Sequence, residues 1–169
     1  MDTKERAAEL VERVRKASQG RVGLLKSTAS VLLHAVAGEE VLVVAVDGAK
    51  FEFEGYHRAR GHIALVTARF VAFVELKGAV TGGPFAENDE PTIIEVFPRA
   101  AVESVTLECP TIWRTGQGGE FDFEQVPWGT EVRARYRDHA EPLIIRDEIS
   151  DVPVTEVHRM LLEDLAAAR

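Results

Sequence analysis

A chain of 169 residues with 46% hydrophobic content suffices for one domain with a single core and a helical extension, and is cramped for two independent domains. With 28 acidic against 20 basic residues, the formal charge of -8 sets the surface as a whole against nucleic-acid backbones and anionic membranes, so any anion site has to be local. The apolar runs 31–33 and 41–46 fall far short of the roughly 20 residues of a bilayer span, and the start at Met1-Asp2-Thr3-Lys4-Glu5-Arg6 lacks the apolar stretch of a secretory signal, so the expectation is a cytoplasmic protein.

Asp2 or Thr3 caps a first helix, with Glu5 at capping-box spacing from Asp2 and with Ala7, Leu10, Val11, Val14 and Ala17 on one face. Its charged side, Glu9, Glu12, Arg13, Arg15 and Lys16 among others, reads as a solvated face, and the helix as a packing or docking element. Gly20 and Gly23 break the pattern, after which Leu24, Leu25, Thr28, Val31, Leu32 and Ala35 predict a second helix that stops at Gly38. From Glu39 the period shortens. Residues 41–46 form a β-branched run bounded by the turn signal Asp47-Gly48, and 49–54 is either its hairpin partner or its continuation through a bulge. Strands over 63–66 and 70–76 meet in a tight hairpin at Thr67-Ala68-Arg69, followed by a Gly-, Pro-, Asn- and Asp-rich loop over 77–91. Strands over 92–97 and 102–109 flank Pro98-Arg99-Ala100-Ala101, a second loop covers 110–129, and strands over 131–136 and 142–146 flank Arg137-Asp138-His139-Ala140. A closing helix over 154–168 carries Val154, Val157, Leu161, Leu162 and Leu165 on one side.

Gly38-Glu39-Glu40-Val41-Leu42 precedes the hairpin of residues 63–73 with its Thr67-x-Arg69 turn, and Val96-Phe97-Pro98 precedes Val102-Glu103-Ser104-Val105. This series is similar to the pattern of the small bacterial pleckstrin-homology-like (PH-like) domains, over residues 39–168. The resemblance implies an α+β fold: a PH-like antiparallel β-barrel of about seven strands closed by a C-terminal helix, with residues 38–169 as that domain and 1–37 as an N-terminal helical extension. It also implies a non-enzymatic interaction module that binds a protein partner or its own copies, since some small bacterial members associate into ring-like oligomers.

The stretch 55–62 concentrates His57, Arg58, Arg60 and His62 in an otherwise acidic chain. In lipid-binding pleckstrin-homology domains a lysine on the first strand and a basic-x-Arg pair grip an inositol phosphate, and Lys50, Arg58 and Arg60 resemble that arrangement by position. The alternative function this implies is binding of a phosphorylated small molecule or lipid headgroup, with arginine forking the phosphate and lysine supplying a point charge. Glu52 and Glu54 alternate with Lys50 and weaken the local field, and surface cations on a solvated loop are the plainer reading. Trp113 and Trp128, near Phe121, Phe123 and Tyr136, either form a partner-docking patch or fold their loop onto the expected barrel as a satellite cluster. Glu120, Glu124 and Glu131 offer a third reading, an acid–base hydrolase, with nothing to fix their separation. No catalytic residue, metal ligand or cofactor is expected. The histidines follow no metal-binding spacing, Glu87-Asn88-Asp89-Glu90 lacks the glycine and terminal glutamate of a calcium loop, and the lone Cys109 reads as a structural thiol.

Overall fold

The computed structural model describes residues 2–53, 56–80, 93–108 and 129–168, with side chains described except at 49–59 and 77–80. Helix α1 (Thr3–Ala17) starts at the capping box: the Asp2 carboxylate accepts from the Lys4 amide at 2.8 Å while Glu5 accepts from the Asp2 amide at 3.0 Å. Helix α2 (Lys26–Ala35) follows, and Ala7, Leu10, Val14 and Ala17 of α1 are buried together with Ala29, Leu32 and Leu33 of α2.

Strands β1 (Val41–Phe53), β2 (Tyr56–Thr67), β3 (Phe70–Val80) and β4 (Ile93–Pro98) form an antiparallel meander in sequence order. A second antiparallel sheet holds β5 (Val102–Glu108), β6 (Glu131–Tyr136) and β7 (Leu143–Arg146), and α3 (Val154–Ala167) closes the described chain. One face of the first sheet, with Val44, Val46, Ile63, Leu65, Ala72 and Val74, packs under α1 and α2. Its other face, with Val43, Ala45, Ala64, Val66 and Val71, packs against Val132, Ala134, Tyr136, Leu143 and Ile145 of the second sheet and Val157 and Leu161 of α3. The first sheet is therefore a middle layer. That burial on both faces is why residues 43–46 read as an unbroken apolar run rather than an alternating one, while Leu42 before them is exposed.

The expected closed barrel is not formed. The strands make two separate open antiparallel sheets within an α+β fold, and among the described residues no ladder joins β4 to β5 or β1 to β7. Pro98, which has no N–H, ends β4, and a single 3-10 turn over Arg99–Ala101 carries the chain into the other sheet. Between β1 and β7 the link is a side-chain ion pair, Arg146 Nη2 to Asp47 Oδ2 at 3.0 Å. Zipping the sheets together there would bury the inward-facing carboxylates of Asp47, Glu75 and Glu95, at a desolvation cost that ladder bonds do not offset.

Three local expectations also change. Asp47-Gly48 is not a turn, because β1 runs straight through it to Phe53 and Gly48 lies opposite Gly61. A Cβ on Gly61, at φ +141, would stand 2.1 Å from the Asp47 carbonyl oxygen, so the two glycines serve a close crossing of the ribbon. Residues 56–62 are strand β2 rather than a loop, and 77–80 belong to β3. Of the packing and docking readings of the first helix, the structure shows packing: the apolar faces of α1 and α2 are spent on the core they share with the first sheet.

Two knots of polar contacts fix the layers. At the edge of β1, Asp151 Oδ1 accepts from the Val44 amide at 2.8 Å, the Asp151 amide donates to the Val44 carbonyl at 3.0 Å, and Arg13 Nε of α1 donates to Asp151 Oδ2 at 2.6 Å. At the β2–β3 hairpin, the Glu39 carboxylate accepts from the Thr67 hydroxyl at 2.7 Å and from the Arg69 amide at 3.1 Å, which holds its pKa below the usual carboxylate range. Arg99 then forks Asp164 of α3 at 2.6 and 2.8 Å while donating to the Thr67 carbonyl at 2.9 Å. The motif residues Glu39, Thr67 and Arg69 thus meet in space, as the clamp on one hairpin.

Candidate functional site

Strand register sorts the inner face of the first sheet into cross-strand rows. Val43, Val66, Val71 and Phe97 form the row nearest the clamped hairpin; Ala45, Ala64, Phe73 and Glu95 form the next; Asp47, His62, Glu75 and Ile93 form the third. The face passes from bulky and apolar, through small, to charged. Valines of the first row share a core with α3 and the second sheet. Over the next two rows the sheets part, and a cleft of about 380 Å³ opens between them, roofed by residues 138–144 at the β6–β7 turn. The paired alanines at 45 and 64 line the floor of this space with the shortest side chains of their rows.

His139 is the wall of this cleft. Its ring stacks on Phe73 with centroids 4.2 Å apart and planes at 18°, and meets Phe97 edge-on at 4.9 Å. Nε2 lies 3.3 Å from Glu95 Oε2, Nδ1 is hydrogen-bonded to the Glu141 carbonyl, and the side chain is 11% exposed. Both neighbours are oxygen acceptors, so only a ring protonated on both nitrogens donates to both. Asp138, before it, takes a φ of +65 in the turn, a conformation that aspartate tolerates better than most residues.

Asp47, Glu75, Glu95, Asp138 and Glu141 line the cleft, with His62 and His139 as the basic groups and no lysine or arginine among the described lining residues. Arg146 holds Asp47 from β7, and His139 faces Glu95. The carboxylates of Asp138 and Glu141 make no ion pair or hydrogen bond among the described residues.

No protein-family model, curated protein or solved structure matches this chain. What it can do is therefore read from its own geometry. Among the described residues no group of three or more His, Cys, Asp or Glu side chains is placed to hold a metal ion, and no helix is long and apolar enough to cross a membrane.

The sequence-predicted anion residues lie along the first two strands. Lys50 on β1 stands opposite Ala59; on β2, His57 stands opposite Glu52, Arg58 opposite Phe51 and Arg60 opposite Ala49, so the register pairs no arginine with Lys50. His62 lies between Asp47 and Glu75, which places it in the acidic row. Trp113 and Trp128 lie outside the described residues, as do Glu120, Glu124, Cys109 and the acidic stretch 87–90. Glu131, on β6, is ion-paired by Arg133 and lies 3.7 Å from Arg146 Nε.

Residues that sequence reading passed over, Asp47, Glu75, Glu95 and His139, carried a usable signal. Each of the three carboxylates falls on the same alternate positions as the inward-facing Ala45, Phe73 and Phe97 of its own strand, where a soluble sheet protein places apolar residues. A charge at an inward position on each of three strands marks a place where the core stops.

Proposed function

We propose that this chain is a non-enzymatic interaction module that receives part of a protein partner in the cleft between its sheets. The observation that carries the reading is the open cleft itself, apolar on its floor and charged on its rim. Its volume sits at the low end of the roughly 300–1,000 Å³ typical of ligand pockets, room for one or two side chains. Asp47 and Glu95 are already engaged by Arg146 and His139, an arrangement that shapes a surface more than it frees an acid or a base. The motif resemblance to PH-like domains points to the same class of function. For the anion alternative at Lys50, Arg58 and Arg60, the neighbouring His62 brings carboxylates rather than further cations.

Amide chemical-shift mapping against a panel of capped single-residue and short-peptide probes of every charge tests the reading. Perturbation centred on Ala45, Ala64, Phe73 and Ile144 is expected. Perturbation confined to other surfaces, or loss of none of it in an Ala64→Leu variant that remains folded by circular dichroism, would refute it.

A further inference from the structure

We infer that the cleft selects a cation: a guanidinium or ammonium head on a short apolar stem, as an arginine or lysine side chain presents it. The inference rests on the reading that a ligand enters between the sheets, and adds what that ligand must be. Three features of the cleft, the first two arising from the same carboxylates, converge on it.

The first is charge. Five carboxylates face the space and the described lining contains no lysine or arginine; Arg146 meets Asp47 from the rim, His139 meets Glu95 from the wall, and Glu75 has an interaction of its own. Asp138 and Glu141, on the roof, are left without a partner among the described residues. Both are exposed at the mouth, so their field acts through water and is screened by salt.

The second is donor and acceptor chemistry. Among the described lining residues, the polar side chains are carboxylates, with the two imidazoles as the only side-chain donors. A ligand rich in acceptors, such as a phosphate or a carboxylate, finds few N–H groups to meet it. A ligand made of N–H donors finds oxygens throughout.

The third is the part His139 plays. A planar nitrogen ring already lies in this cleft, flat against Phe73, with one nitrogen toward the Glu95 carboxylate and the other toward the Glu141 carbonyl. That is the environment a guanidinium seeks: an aromatic face beside it and oxygens in its plane. The space beside it, over Ala45 and Ala64 and against Leu143 and Ile144, is apolar and suits the methylene stem of the same side chain.

The test uses the full chain and four probes, with binding followed by the amide shifts of Ala45, Ala64 and Ile144. N-acetyl-arginine methylamide represents a protein-borne cation and n-propylguanidine a free one of the same charge; the citrulline methylamide is the neutral isostere and the glutamate methylamide the anion. The arginine probe is expected to bind at least about tenfold more tightly than citrulline and to weaken several-fold when salt rises from about 0.05 to 0.5 M. Exchanging the two roof carboxylates, Asp138→Asn with Glu141→Gln, should erase most of the advantage over citrulline while leaving the melting temperature in place. n-Propylguanidine binding more weakly than the arginine probe assigns the cation to a protein chain, and binding more tightly assigns it to a free small cation. Citrulline binding within about twofold of arginine, or the glutamate probe displacing it, overturns the inference and leaves the cleft reading intact. Silence of all four probes at the cleft overturns both.

Discussion

Replacing Asp151 by alanine should cost about 3 kcal/mol of folding stability, because three parts of the molecule meet on one carboxylate. The Asp151 side chain is 6% exposed and joins the edge of β1 to α1 and to the segment leading into α3. Val44 is fully buried, so its amide, now 2.8 Å from Asp151 Oδ1, would be left without an acceptor at a cost of about 1–3 kcal/mol. Arg13 is 23% exposed and would still donate to the carbonyls of Val41 and Leu42. Its lost ion pair therefore falls between the ~0–1 kcal/mol of exposed pairs and the ~3–5 kcal/mol of buried ones, nearer the lower bound. For a chain of this size the total corresponds to a fall in melting temperature of about 6–12 °C. Asp151→Asn keeps an oxygen for Val44 and should lose only about 1 kcal/mol. Urea unfolding followed by circular dichroism measures both, and a double-mutant cycle with Arg13→Met isolates the pair. An Asp151→Ala protein within about 0.5 kcal/mol of the parent, or an asparagine variant as damaged as the alanine one, would refute the account of how β1 is held.

Glu39→Gln should flatten the acid limb of stability: the carboxylate, lowered in pKa first by the Thr67 hydroxyl and then by Arg69, stabilises the fold above its unfolded value near pH ~4.3 and stops doing so as pH falls through its folded value. Melting temperatures from about pH 6 to 2 that run parallel in the two proteins would contradict this. Tyr136→Phe should be neutral or stabilise by up to about 1 kcal/mol at neutral pH, since the hydroxyl is buried with no hydrogen-bond partner among the described residues. Burial and then the charge of Asp164 raise the phenol pKa, so its contribution is full below about pH 10 and is lost above it, and the variant should also resist alkaline unfolding better. A clear loss of stability at pH ~7 would reveal a partner for that hydroxyl. Gly61→Ala should cost more than about 2 kcal/mol by equilibrium unfolding, through both its φ of +141 and the contact with the Asp47 carbonyl, and a tolerated alanine would discount the close crossing of β1 and β2.

Much of the fold was legible in local signals. The capping box at Asp2 and Glu5, the apolar stripe of α3 and the hairpin at Thr67-Ala68-Arg69 each depend on neighbours within a few residues, and such short-range physics is written in the sequence directly. What failed depended on distant partners. Asp47-Gly48 carries the composition of a turn, yet Gly48 is there to let Gly61 approach from the next strand, and nothing near Gly48 in the sequence states that. Barrel closure failed for a similar reason: whether two sheet edges join depends on what lies between them, and the inward carboxylates of β1, β3 and β4 become neighbours only once the register is set. The cleft was equally hidden, because its roof at Asp138, His139 and Glu141 is a turn whose residues look like ordinary solvated polar groups until Phe73 comes up against the histidine.

The same register gives the sandwich a direction. Inner-face residues run from valine to alanine to aspartate on β1, from valine to alanine to histidine on β2 and from valine to phenylalanine to glutamate on β3, so three strands change character at the same two levels. Scattered polar positions would each have found water or a partner separately; aligned ones hold the second sheet off, since drawing it closer would strip water from several charges at once. At the other end the Arg99–Asp164 fork and the Glu39 clamp pin α3 and the hairpin, and the inter-sheet core is closed with apolar contacts. One end of the space is thus fixed by packing and the other kept apart by charge. A cleft with an apolar floor and an acidic mouth follows from that gradient.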